Sequence, residues 1–171
     1  MGYNIEYRGR FEFSKTIDDG VYEYLRDFAK TRHMKREMSK SEGYGVYGEF
    51  YLAPNEFYQD ITFLNLIKEG KDPSNYLQKE YRILDQNNPP PTQPGLWCHW
   101  IPTEDHKGLE WNRSEKFYNG KEWLEYLIKN FIAPRGYFLN GSVQVVDLDK
   151  REYPNQICEL NVIQNEVKVV F

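Results

Sequence analysis

The stretch from Gln93 to Ile128, QPGLWCHWIPTEDHKGLEWNRSEKFYNGKEWLEYLI, holds all four tryptophans of the chain: Trp97, Trp100, Trp111 and Trp123. Tryptophan and tyrosine bury large areas while keeping one polar handle. A segment this rich in them is either the packing anchor of a domain or the floor of a binding surface. Its pattern predicts a strand over residues 96–101, a turn at 105–108 and a returning strand at 109–111, the form of a hairpin. Asn119 followed by Glu122 reads as a helix cap, after which Trp123, Leu127 and Phe131 line one side of a helix and Leu124 and Ile128 widen it until Pro134. Strand residues three apart face opposite ways, so Trp97 and Trp100 are not expected to line one small pocket. One of them is expected to meet Trp123 beneath the helix.

On the N-terminal side, Ile5, Tyr7, Gly9, Phe11 and Phe13 alternate with Glu6, Arg8, Arg10 and Glu12, which predicts a half-buried strand. Thr16 with Asp19 reads as a cap for a helix over 18–31 whose face is Val21, Tyr22, Leu25, Phe28 and Ala29. The basic run after it, with Arg32, Lys35, Arg36 and Lys40, is expected to be a solvated helix end. Residues 44–52, flanked by Gly43, Gly45 and Gly48, predict a second strand. Residues 54–84 read as two short helices, one ending at Gly70 and one capped by Asp72-Pro73, and the proline-rich run 86–95 as extended or turning chain. The tail alternates through Val143, Val145, Ile157, Leu160, Val162, Val167 and Val169 between short turns. That predicts about three antiparallel strands, because such connections are too short for parallel crossovers. The expected fold is therefore α+β: one domain over 1–171, a mostly antiparallel sheet with the helices 18–31 and 120–133 on one face, and a helical insertion at 55–82.

Hydrophobic residues at 40% and aromatics at 16% of 171 residues argue for a globular chain. A net charge of -4 is too small to dominate association with DNA or RNA, so nucleic acid is not an expected partner. No stretch approaches the length of a membrane span, nor does residues 1–13 hold an apolar signal core. Glu6 stands where a myristoylation motif needs Ser or Thr. Cytoplasm is the expected compartment, and Cys98 and Cys158 are expected as reduced thiols.

No catalytic spacing emerges, and neither a cofactor nor a metal is expected. His33, His99 and His106 show no zinc-type pattern, and Cys98 and His99, adjacent on a strand, point apart. Glu104, Asp105, Glu110 and Glu115 gather on the hairpin and its exit, where a pair could hold a divalent ion or do acid–base work as a metal-dependent hydrolase. Lys107, Arg113 and Lys116 interleave with them, the pattern of a salt-bridged surface. A small nucleotide-like signal would find rings and cations in Trp97, Trp100, Trp111, Tyr118, Lys116 and Arg32. Phe57, Tyr58, Phe63 and Tyr76 give the insertion an apolar patch of the kind that marks a protein contact.

The run D-x-N-x-P-P-x-x-Q-P-G-L-W-C-x-W-x-P-x-x-D, from Asp85 to Asp105, continues through G-L-E-W, E-K-F-Y and W-L-E-Y-L-I to G-Y-F-L-N-G at Gly136–Gly141. With M-G-Y, G-R-F at Gly9–Phe11 and Y-L-R-x-F-x-x-T-R at Tyr24–Arg32, it resembles a family of small uncharacterised proteins encoded by bacteria and their phages. The resemblance covers most of the chain and implies a prokaryotic or phage setting, without an activity. Residues 55–82 and 147–158 depart from it, standing where the family has shorter segments. Taken together, the expected function is a non-enzymatic binding protein, a phage-derived effector that engages a host or defence protein through residues 54–84 and the adjacent aromatic hairpin.

Overall fold

A computed structural model describes residues 4–38, 43–54, 67–71, 82–150 and 156–171. The chain packs as two compact units, Met1–Ala29 with Cys98–Phe171, and Lys30–Trp97. The fold is α+β, with a mostly antiparallel sheet and two main helices.

The first unit is built on a seven-stranded sheet. Its N-terminal strand is β1 (Ile5–Arg8) continued as β2 (Arg10–Phe13). Both lie against one long strand, which for chain order is β7 (Leu139–Asp147). Arg8 faces Gln144 and Phe11 faces Gly141, so the register runs on unbroken across Gly9. Gly9 itself sits at φ +113, and a Cβ there would fall 2.9 Å from the Ser142 carbonyl oxygen, so only glycine serves at this bend. The hairpin of β5 (Trp100–Pro102) and β6 (Gly108–Trp111) joins the sheet through β6 on β2. On the other side β7 pairs with β8 (Gln156–Ile163), and β8 with β9 (Glu166–Val170). The strands expected from the N-terminal, hairpin and tail segments are thus present, with the hairpin's first strand starting only at Trp100.

One face of this sheet is apolar. Tyr7, Phe11, Phe13, Leu109, Leu139, Val143 and Leu160 are buried. Arg8, Glu12, Ser142 and Gln144, which alternate with them, are exposed. Helix α1 (Asp19–Ala29) buries Leu25, Phe28 and Ala29. Its cap is Asp18 and not Thr16, Asp18 Oδ1 accepting the Val21 N–H at 2.9 Å. Helix α2 (Gly120–Leu127) buries Trp123, Leu124 and Leu127, and Phe28 meets Trp123 edge-on at 5.8 Å. Each such aliphatic or aromatic side chain contributes about 1.5–3 kcal/mol by leaving water. The expected Asn119 cap is absent as a side-chain bond. Gly120 is what the position requires, since a Cβ there would lie 2.6 Å from the Tyr7 hydroxyl. The helix does not stop at Pro134. A π turn, Ile128–Ile132, closes with Ala133 N–H on the Ile128 carbonyl, a 3₁₀ turn over Ala133–Arg135 carries Pro134, and Gly136 at φ +80 ends the run. Proline has no N–H to give and its ring crowds the carbonyl four residues back, so the ladder shifts before it.

The second unit holds β3 (Lys35–Arg36) paired with β4 (Ile83–Asp85) and a bridge between Thr31 and Pro54. Two expectations are corrected here. Residues 44–52 form turns, not a strand, because Gly43, Gly45 and Gly48 take φ of +80, +83 and +74, values that extended backbone does not accommodate. Within the basic run Arg36 is not part of a solvated helix end: it is 1% exposed with its guanidinium 4.6 Å from the centre of the Tyr51 ring, while Lys40 lies outside the described residues. Thr31, His33, Glu49 and Gln93 are further buried polar residues of this unit. Of the two helices expected over 54–84, only Ile67 and Lys68 are described as helical, before a turn at Gly70; Ile83 and Leu84 lie in β4 and not in a helix, and residues 55–66 and 72–81 lie outside the described residues.

Candidate functional site

The bend at Gly9 forks the first unit's sheet. β6 follows β2 as far as Arg10 opposite Glu110, then its chain turns away at Asn112, whose Oδ1 accepts the Ser114 N–H at 2.9 Å. Among the described residues β1 goes on beside β7 alone. In the fork lies a groove of about 760 Å³, lined by Asn4 to Arg10, Glu110, Trp111, Arg113, Glu115 and Leu148.

Backbone parity decides what this groove receives. In an antiparallel ladder, successive residues turn their N–H and C=O groups to opposite flanks. Asn4 accepts the Leu148 N–H at 2.8 Å, which sets the even-numbered residues of β1 toward β7. Phe13 donates to the Lys107 carbonyl at 2.7 Å, which sets the odd-numbered residues of this continuous strand toward the β6 side. Ile5 and Tyr7 therefore direct their backbone groups to the flank where the described residues supply no strand.

The groove's aromatic base is Tyr7 against Trp111, ring centres 5.9 Å apart. Tyr7 is held by its hydroxyl, which donates to the Phe117 carbonyl at 2.5 Å, and burial raises its phenol above the ordinary range, so it stays a neutral donor. Half-buried Trp111 donates its indole N–H to the Ser114 carbonyl at 3.1 Å. The loop so pinned holds Arg113 and Lys116 at φ +68 and +61. Left-handed non-glycine residues cost free energy and gather at functional sites.

Of the charged groups around it, Arg8 pairs with Glu6 at 2.7 Å, and Arg10 with Glu12 at 2.5 Å and with Asp105 at 3.2 Å. Among the described residues Arg113, Glu110 and Glu115 stand in no ion pair of this kind. Hydrogen bonds from the Thr103 hydroxyl and the Lys107 N–H, with Arg10 beside them, hold the Asp105 carboxyl down at about 2.

The expected site residues are dispersed. Trp100 is 1% exposed, with its indole N–H bound to the Gly120 carbonyl at 2.8 Å, so it belongs to the core and not to an open wall. Trp123 is likewise buried. Trp111, Lys116 and exposed Tyr118 remain in the first unit, whereas Trp97 and Arg32 belong to the second. Arg32 gives its guanidinium to the Gln86 carbonyl at 3.1 and 3.0 Å. Trp97 precedes β5 and does not share a strand with Trp100. Phe57, Tyr58, Phe63 and Tyr76 lie outside the described residues. Of the carboxylates, Glu110 and Glu115 line the groove, Asp105 is tied to Arg10, and Glu104 is exposed in the hairpin turn. No group of three or more His, Cys, Asp or Glu that could hold a metal occurs among the described residues.

Cys98 is fully buried, its thiol pushed up to about 12 by loss of water, and half-buried Cys158 is raised for the same reason. Burial likewise lowers His99, against a hydrogen bond with Asn112, and His99 Nδ1 is buried without a partner among the described residues. His106 stacks on Tyr22, ring centres 4.0 Å apart, 3.5 Å from an Asp19 oxygen, and so ties the hairpin turn to α1. No helix among the described residues is long and apolar enough to cross a membrane.

Residue patterns gave no notice of Tyr7, Arg8 and Arg10 as groove residues. The one available signal was Gly9, a glycine inside an otherwise regular strand, where a bend or a close approach is the usual reason. No family model, curated protein or solved structure matches this chain.

Proposed function

We propose that this chain is a non-enzymatic binding protein that receives an extended segment of a partner protein along the open flank of β1. Strand addition of this kind takes affinity from backbone hydrogen bonds and specificity from alternate side chains. The observation that carries the reading is the flank that no strand covers among the described residues: Ile5 and Tyr7 present backbone groups to a groove of about 760 Å³. Trp111 supplies an aromatic wall, and Arg113, Glu110 and Glu115 supply charges without an ion-pair partner among the described residues. The partner class, a host or defence protein met by a phage-derived effector, comes from the resemblance alone.

The test is affinity capture from bacterial lysate with the wild type, Ile5→Pro, and a chain lacking residues 55–82. Proline at Ile5 removes only the edge donor, and the mutant should lose the captured partners. Recovery of the same proteins by Ile5→Pro would reject strand addition; their loss only on deleting 55–82 would move the contact to that segment.

A further inference from the structure

The first unit has a second cavity, of about 480 Å³, separate from the fork and lined by Asp18, Val21, Tyr24, Phe131, Arg135 and Tyr137 among others. We infer that it is a binding site for a small organic carboxylate with a planar apolar body. Three observations point there.

The walls are rings. Tyr24 and Phe131 stand 5.1 Å apart at an angle of 47°, and Tyr137 forms another side, while Val21 and Leu25 add aliphatic floor. A cavity within the ~300–1,000 Å³ range of ligand sites, with polar groups set beside aromatic rings, suits a ring that carries a charge and not a bare inorganic ion.

The polar groups divide in sign and in occupancy. Asp18 is already engaged, Oδ1 by the Val21 N–H at 2.9 Å and Oδ2 by the Tyr137 hydroxyl at 3.3 Å. It acts as a fixed negative wall that repels a dianion such as phosphate more than a single carboxylate. Arg135 is the cation of the site. One amino group donates to the Phe131 carbonyl at 3.2 Å and the guanidinium lies over the Phe131 ring at 5.8 Å, but no carboxylate among the described residues pairs with it. The remaining N–H groups of its planar fork match a carboxylate.

The backbone beneath is irregular where it meets the cavity. Phe131 lies in the π turn Ile128–Ile132 and Arg135 ends the 3₁₀ turn that follows. π turns inside helices recur at functional sites, because the extra residue re-aims side chains that a regular helix would align with its core.

The probes are sodium benzoate and inorganic phosphate, titrated into the ¹⁵N-labelled full chain and followed by amide resonances. Saturable benzoate shifts at Gly20, Val21 and Gly136 are expected, weakened about tenfold or more in Arg135→Gln, as the loss of a charge-assisted hydrogen bond implies. Val21→Phe, which fills the cavity, should abolish them. Absence of saturable shifts in the wild type, or equal shifts in Arg135→Gln, overturns the site. Phosphate binding as tightly as benzoate at the same amides overturns the ligand class. Ile5→Pro should leave this titration unchanged, so failure here and failure of strand addition are read separately.

Discussion

Tyr7 joins strand, hairpin and helix through one side chain. Its ring meets Trp100 edge-on at 5.3 Å and Phe117 at 5.5 Å, its hydroxyl holds the Phe117 carbonyl, and Gly120 is a glycine to make room for it. Tyr7→Phe keeps the ring and leaves that buried carbonyl without its donor, so a loss of about 1–3 kcal/mol in urea unfolding is expected. Gly120→Ala is expected to cost a similar ~1–3 kcal/mol by overpacking against the hydroxyl, and the double mutant less than the sum, since Phe removes the clashing atom. Asp105 gives a pH dependence. Its folded carboxyl titrates near 2, below the ordinary value of about 3.9, so the stability it contributes is intact above about pH 4 and is lost as pH falls toward 2. Asp105→Asn should flatten that part of an acid-unfolding profile, and an unchanged profile would show that other carboxylates set it. Native labelling with a thiol reagent should modify half-buried Cys158 and spare Cys98 until denaturant is added.

Among the elements, those whose burial follows a simple period were legible. The helical face of α1, the tail strands and the helix beginning near Trp123 all read directly, because one face of each meets the core and selects its residues. Phe28 shows what that face contributes: it touches Trp123 and Phe131, and Phe28→Ala is expected to cost about 3–5 kcal/mol, checked by denaturant unfolding with tryptophan emission as the signal. Residues 44–52 were not legible as turns. Alternation of Tyr, Val and Phe suggests a strand, but whether a glycine takes left-handed backbone is decided by its neighbours, here Arg36 packed against Gly48 and Glu49 against Gly45. The parity of β1 also belongs to this scale. Ile5→Pro should leave the unfolding midpoint nearly unchanged, whereas Glu6→Pro removes a donor that faces β7 and should destabilise the unit markedly.

For the whole molecule, the amino-acid order determined the class of fold and the sidedness of the sheet. Those features follow from hydrophobic period and aromatic content, which act through local geometry and the removal of apolar surface from water. Only the tertiary structure decided where the sheet forks, toward which flank Ile5 and Tyr7 turn their backbone groups, and that Tyr24, Phe131 and Arg135 wall one cavity. These are products of packing between segments remote in the chain: β1 against β7, β2 against β6, and the start of α1 beside the end of the α2 run. The distribution of candidate residues between the two units has the same origin, since Trp97 and Trp100 are near neighbours in sequence yet belong to different compact units. Spacing along a chain fixes which way a side chain points from its own element, while the partner that element finds depends on the free energy of the entire packed core.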